Sequence, residues 1–326
     1  MIIFPVFSKT FETMTNYAYV FPGQGSQSVG MMTAWEDHQA AVVDIFGQAS
    51  DSLGYDLWAV VSEGPEHLLN QTATTQPAML CAGVASWRIA TARQDMPPAT
   101  MMAGHSLGEY TALVCAGSLA LVDAVKLVAK RGQLMQSAVA AGAGSMAAII
   151  GLADEDVVKA CAQVESGVVE AVNFNAPGQV VIAGETAAVE AAMKQASALG
   201  AKRALQLPVS VPSHCSLMKN AARQLAEELE SIAIEMPRVP VVHNQSASVA
   251  ESVDEIRERL QLQLYQPVKW VASVEIMHRR GISTLIECGP GRVLTGLARR
   301  IEKSLRAYAV FDAASLDSTQ QSIGEE

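Results

Sequence analysis

Met101-Met102-Ala103-Gly104-His105-Ser106-Leu107-Gly108-Glu109 is the stretch around which the chain is organised. A short apolar run over 99–103 leads into Gly104-His105-Ser106-Leu107-Gly108, and a helix-like segment over 109–116 follows. This is G-x-S-x-G between a strand and a helix, the setting in which a serine is lifted onto a sharp turn. The two glycines permit the turn and let the flanking backbone pass closely. The serine then sits at the positive end of the following helix. The pentapeptide alone leaves two readings open. Ser106 is a nucleophile, or it is the N-cap of a Gly-flanked helix.

Outward from that turn, the pattern is mostly strand–helix alternation. Upstream lies a strand at 17–21, followed by the tight loop Pro22-Gly23-Gln24-Gly25-Ser26-Gln27. Its spacing is not a dinucleotide fingerprint and it has no P-loop lysine. It is still a place where a backbone N–H can face a ligand. Helices are expected at 36–49 and 76–93, with Asp95-Met96-Pro97-Pro98 as a breaker. Residues 1–13, MIIFPVFSKTFET, fit nothing that follows; they are expected to be a disordered extension, with Met14 as the natural start.

Downstream, a helix over 121–140 carries Leu121, Ala124, Val125, Val128 and Met135 on one face and Lys126 and Lys130 on the other. Arg131 falls beside the apolar stripe, where an unpaired charge is costly. It is either snorkelling or paired with an internal acid, or it awaits a carboxylate that arrives with a substrate. After the linker Ala141-Gly142-Ala143-Gly144 the order becomes β-α-β-β-α-β, ending in a strand at 202–209. From 209 the first pattern resumes. Ser213 is expected to cap a helix running to 230, with His214 in its first turn, where the helix dipole disfavours a charged imidazole. Strands at 239–243, 282–287 and 306–311 and helices at 254–264, 270–279 and 293–303 complete the pattern. The expected fold class is α/β. A large α/β-hydrolase-like catalytic domain with a parallel sheet core spans 14–141 and 209–312. A small ferredoxin-like domain is inserted at 142–208, and 313–326 is a frayed C-terminal tail.

Composition removes several function classes. The chain has 326 residues and a net charge of −10, which argues against a nucleic-acid-binding surface. No apolar run reaches the length of a membrane span. The five cysteines, Cys81, Cys115, Cys161, Cys215 and Cys288, are scattered without a C-x-x-C, which suits reduced thiols in a cytoplasmic protein. The six histidines show no metal-binding spacing, so no metal is expected.

An activated serine needs a base, an orienting partner for that base, and two N–H donors for the oxyanion. Leu107, directly after the serine, supplies one donor, and the Gly23-Gln24-Gly25 loop is the best source of the second. His214 is the downstream histidine placed in a turn, and serine before histidine agrees with hydrolase order. No acidic orienter stands out between them.

Phe21-Pro22-Gly23-Gln24-Gly25-Ser26-Gln27, the Gly104–Glu109 hexapeptide, Asn173-Phe174-Asn175-Ala176-Pro177-Gly178-Gln179, Pro212-Ser213-His214 and Glu287-Cys288-Gly289-Pro290-Gly291 stand in order. Together they resemble the malonyl-CoA:acyl-carrier-protein transacylase family of bacterial type II fatty acid synthesis, from about Met14 to Val310. The resemblance implies that Ser106 is the nucleophile, His214 the base, and Gln263 the glutamine whose carbonyl orients the histidine. It implies backbone oxyanion donors at Gln24 and Leu107, and substrate binding by Arg131, Gln24 and His105, with Arg131 on the malonyl carboxylate. It implies no bound cofactor, malonyl-CoA and phosphopantetheinyl acyl carrier protein as substrates, and a cytoplasmic monomer with no nucleic-acid or membrane partner. An acidic carrier protein meeting an acidic enzyme needs local positive charge, for which Lys202-Arg203 and Arg299-Arg300…Lys303 are candidates. The rivals are an acyl hydrolase, a sibling transferase of polyketide synthesis or malonate decarboxylation, and a non-catalytic binding protein on the same fold.

Overall fold

The computed structural model describes residues 16–209 and 211–325; the extension expected over 1–13 lies outside them. Two strands come first, β1 (Asn16–Phe21) and β2 (Met101–Gly104). A second group follows, β3 (Gly144–Ile150), β4 (Val169–Ala176), β5 (Gln179–Glu185) and β6 (Arg203–Gln206). The last are β7 (Val241–His243), β8 (Ser248–Val249), β9 (Ile282–Cys288) and β10 (Arg306–Val310).

The larger sheet has the order β10-β9-β1-β2-β7-β8. It is parallel throughout except for β8, which runs against β7. Its central strands are near-continuous apolar runs, as expected when both faces of a parallel sheet are covered. Alternate residues serve opposite cores. Tyr19, Phe21 and Met102 pack under the helices Thr72–Ala92, Gly108–Cys115 and Leu121–Ser137. Ala18, Val20, Met101 and Ala103 pack under Trp270–Arg279 and Val293–Ile301. The sheet therefore presents the ends of β1, β2 and β7 on one rim, where ligands of open α/β sheets bind.

The smaller sheet is antiparallel, in the order β4-β5-β3-β6. Helices Asp154–Ala162 and Thr186–Ala198 cover one face, burying Val157, Ala160, Val189 and Ala192 against Ile149, Val180 and Ile182. On the other face Met146, Val172 and Val181 pack on Cys215. Backbone hydrogen bonds tie β4 of the smaller sheet to Val268, just before the helix Trp270–Arg279 that packs on the larger one. Phe174 N–H donates to Val268 O at 3.0 Å, and Val268 N–H to Val172 O at 2.8 Å.

Two local expectations fail. Residues 213–215 do not open a helix. His214 has φ +65°, and its N–H donates to Leu264 O instead of joining a helical ladder. The helix starts later, at Lys219–Ser231, after one 3-10 turn, and Ser213 does not cap it. The residues from 313 are not a frayed tail but a helix, Ala313–Gly324, capped by a reciprocal Asp312/Ser315 box. Leu316 is fully buried and Asp317 meets Arg93. The polar composition of this segment hid a short apolar face and its cap.

Candidate active site

The turn after β2 is built for close approach. A Cβ on Gly104 would stand 1.9 Å from Gly108 backbone atoms, and one on Gly108 would stand 2.0 Å from Phe21 O. Only glycine lets the strand fold back onto its own helix here. Ser106 takes the strain of the turn at φ +52°. The helix Gly108–Cys115 has Leu107 at its N-cap and no side-chain cap bond, so Ser106 is free of a capping role. Asn244, just past β7, brackets the turn from behind. Its Oδ1 accepts from Ser106 N–H at 2.7 Å, and its Nδ2 donates to Gly104 O at 2.6 Å.

Ser106 Oγ lies 2.7 Å from His214 Nε2. His214 Nδ1 lies 2.6 Å from the main-chain carbonyl of Gln263. A carbonyl only accepts, so Nδ1 carries the proton and Nε2 presents its lone pair to the serine hydroxyl. Burial, with Arg131 nearby, pushes the imidazole down from its usual value near 6.5 to about 3. The cause is thus desolvation and a neighbouring cation, in place of the helix dipole expected from the sequence.

Arg131 is 1% exposed at the base of the site, on the helix Leu121–Ser137. Its partners are amides. Nη1 donates to Gln76 Oε1 at 2.8 Å and Nη2 to the Gln263 side-chain Oε1 at 3.0 Å, with Ser106 Oγ 3.4 Å from Nη2. The guanidinium also lies over the Tyr110 ring, 5.4 Å from its centroid. Among the described residues no carboxylate pairs with it, and its buried Nε has no partner. Neither snorkelling nor an internal ion pair accounts for it.

A cavity of about 450 Å³ opens over these groups, lined by Gln24, His105, Ser106, Leu107, Arg131 and His214 among others. Among the described residues neither Gln24 N–H nor Leu107 N–H donates to another protein group. The Gln24 loop is pinned to the turn, since a Cβ on Gly23 would meet His105 O at 2.5 Å. His105 Nε2 is 2.8 Å from Asn175 Oδ1, and burial lowers its pKa. Lys202, Arg203, Arg299, Arg300 and Lys303 do not line the cavity; Arg300 instead ties its helix to Pro177 and Gln179, at the β4–β5 turn. All five cysteines are buried, and burial raises their thiols, so none competes as a nucleophile. Among the described residues no group of three ligating side chains could hold a metal.

Sequence reasoning missed a layer behind the serine. Glu109, fully buried, accepts from His243 Nδ1 at 2.7 Å, Asn244 N–H at 2.8 Å and Gln263 Nε2 at 2.8 Å. Gln263 Nε2 also donates to Ser106 O at 3.0 Å. The available signal was Glu109 itself, a charge one residue into an otherwise apolar helix packed on the sheet.

Known proteins resemble this chain in both sequence and fold. A family model described as the acyl transferase domain matches residues 18–319. A malonyl CoA-acyl carrier protein transacylase from Salmonella typhimurium is 53% identical over 94% of this chain and 99% of its own length. One from Bacillus subtilis is 41% identical over 96% and 99%. Among solved structures, a malonyl-transacylase in complex with a type II PKS acyl-carrier protein superposes with a TM-score of 0.92 at 51% identity, covering 94% of this chain and all of that one. An acyl carrier protein S-malonyltransferase from Vibrio cholerae superposes with a TM-score of 0.90 at 53% identity, covering 94% of this chain and 100% of that one.

Proposed function

The chain belongs to the acyl transferase domain family, among the malonyl CoA-acyl carrier protein transacylases, and from that premise we propose how its residues divide the reaction. It is an acyltransferase that moves the malonyl group from malonyl-CoA to the phosphopantetheine thiol of acyl carrier protein, supplying fatty acid chain elongation. Transfer passes through a malonyl ester on Ser106. His214 Nε2 takes the serine proton as Oγ attacks the thioester carbonyl. The tetrahedral oxyanion is held by the N–H groups of Leu107 and Gln24, each contributing about 3–4 kcal/mol. The proton on His214 leaves with the CoA thiol. In the second half the carrier thiol gives its proton to His214 and attacks the ester, releasing Ser106. The Gln263 carbonyl keeps the imidazole in the tautomer that both halves require.

Arg131 supplies acyl-group choice. A malonyl carboxylate pairs with it bidentately, while an acetyl group leaves it buried and unpaired, a difference of several kcal/mol. Bound malonate also offsets the cation that depresses His214, so the correct substrate makes its own base stronger. His105, fixed by Asn175, shapes the wall beside the acyl group. No cofactor beyond the substrates is needed, and the protein acts as a monomer in the cytoplasm. The large domain (14–141 and 209–312) is α/β-hydrolase-like and carries the nucleophile. The small one (142–208) is ferredoxin-like and closes the cleft.

The observation that carries this reading is the serine–histidine pair within reach of a buried arginine that has no acidic partner among the described residues. Mass spectrometry after incubation with malonyl-CoA tests it. We expect a stable malonyl adduct that Ser106→Ala abolishes; rapid release of free malonate would point to a hydrolase. Arg131→Ala should cut malonyl loading by about 10²-fold while acetyl loading holds or rises. Equal loss of both would remove the carboxylate role.

A further inference from the structure

A buried guanidinium needs a countercharge, and among the described residues Arg131 reaches one only at second hand. A carboxylate placed directly on it would fill the fork that a substrate carboxylate must occupy. Between Arg131 and Glu109 stands the side-chain amide of Gln263. Its Oε1 accepts from Arg131 Nη2 at 3.0 Å, and its Nε2 donates to Glu109 Oε2 at 2.8 Å and to Ser106 O at 3.0 Å. The amide cannot turn over. The Glu109 carboxylate and the Ser106 carbonyl are acceptors only, and the guanidinium is a donor only. A flipped amide would set donor against donor and acceptor against acceptor.

We propose that Glu109 is a positioning residue for acyl-group choice: its carboxylate orients the Gln263 amide and, through that dipole, holds Arg131 in place and balanced while leaving its fork open to substrate. The proposal rests on Arg131 being the partner of the malonyl carboxylate. Glu109 is itself fixed by Asn244 N–H and His243 Nδ1 and does not face the cavity. Gln263 divides its work. Its main chain holds His214 and its side chain holds Arg131, so the two functions separate by substitution.

Glu109→Gln is close to isosteric. Its Oε1 keeps the bonds from Asn244 and Gln263, and its amide donates to His243 Nδ1 once that ring moves its proton to Nε2. The charge is lost, and with it the Nδ1-protonated tautomer of His243. Loading rates from malonyl-CoA and acetyl-CoA, read by mass spectrometry on Ser106, should show the malonyl-over-acetyl preference falling about tenfold. Gln263→Met keeps the main-chain carbonyl and most of the volume, and should lower malonyl loading more than acetyl loading, so that the same preference falls. Placed on Arg131→Ala, Glu109→Gln should change the preference less than about twofold, because the coupled partner is gone. A folded Glu109→Gln with unchanged preference, or equal losses for both acyl groups, overturns the proposal. So does an undiminished effect on Arg131→Ala. Should Glu109→Gln fail to fold, Gln263→Met decides alone, by the fall or constancy of the preference. Arg131→Ala measured in parallel separates the two ideas. If it leaves the preference intact, the carboxylate role fails; if it lowers the preference and Glu109→Gln does not, only the relay fails.

Discussion

The two faces of the Ser106 turn differ in one respect: the face behind the serine is saturated and the face toward the cavity is not. Behind, Glu109, Asn244, His243 and the Gln263 amide satisfy one another through bonds of 2.6–3.0 Å. In front, Arg131 Nε and Asn173 Oδ1 are buried without partners among the described residues, and His214 is held neutral. Unpaired buried groups are expensive, and strained backbone persists only where its surroundings over-determine it. The saturated face over-determines the turn, and the open face keeps its polar groups ready for a ligand.

The comparison breaks most completely at the proposed base. His214→Ala removes the proton acceptor but none of the bonds behind the serine. Loading from malonyl-CoA should fall by about 10²–10⁴-fold, with the melting temperature little changed. A variant that loses activity and stability together would show that the open face also holds the fold. The acyl-group preference should survive in the residual activity, because Arg131 and its amide partners are untouched.

Asn244→Ala attacks the other face. It leaves Ser106 N–H and Gly104 O buried and unpaired, at about 1–3 kcal/mol for each group. The melting temperature should drop, and loading should fall by up to about 10²-fold because the nucleophile shifts. Malonyl and acetyl loading should fall alike. A changed preference would mean that the bracket reaches Arg131 as well as Ser106.

How much of this was legible follows the same division. Ser106 and His214 are visible because the nucleophile and base we propose must be particular residue types at a turn. The parallel sheet is visible because its strands are apolar on both sides. Arg131 is visible as a charge beside an apolar stripe, but its partners are not, since Gln76 and Gln263 are neutral amides that any surface also carries. Gln263 acts on His214 through its main chain, which every residue has, so only the family resemblance pointed to it. His214 lies outside a helix because its own backbone is left-handed and bonded to Leu264, a long-range pairing that no local pattern encodes. Asn244 and Glu109, 135 residues apart, meet only once β2 and β7 pair.

The smallest effect sharpens the electrostatic side. The His214 pKa is depressed in the folded protein, to about 3, against about 6.5 when unfolded. Below pH 6.5 the unfolded chain therefore binds a proton at this site that the folded protein refuses. The sign follows: the contribution is constant above about pH 6.5 and is lost as pH falls toward 3, at up to about 1.4 kcal/mol per pH unit. His105, also depressed by burial, acts in the same direction, so the parent alone does not isolate His214. The difference in unfolding free energy between the parent and His214→Ala does. Denaturant unfolding at pH 7.5, 6.0 and 5.0 should show the parent losing ground to the variant as pH falls. A difference independent of pH would mean that His214 titrates normally, and that neither burial nor Arg131 sets its charge. In Arg131→Ala the same slope should begin at the same pH but end higher, because one of the two depressing causes is gone.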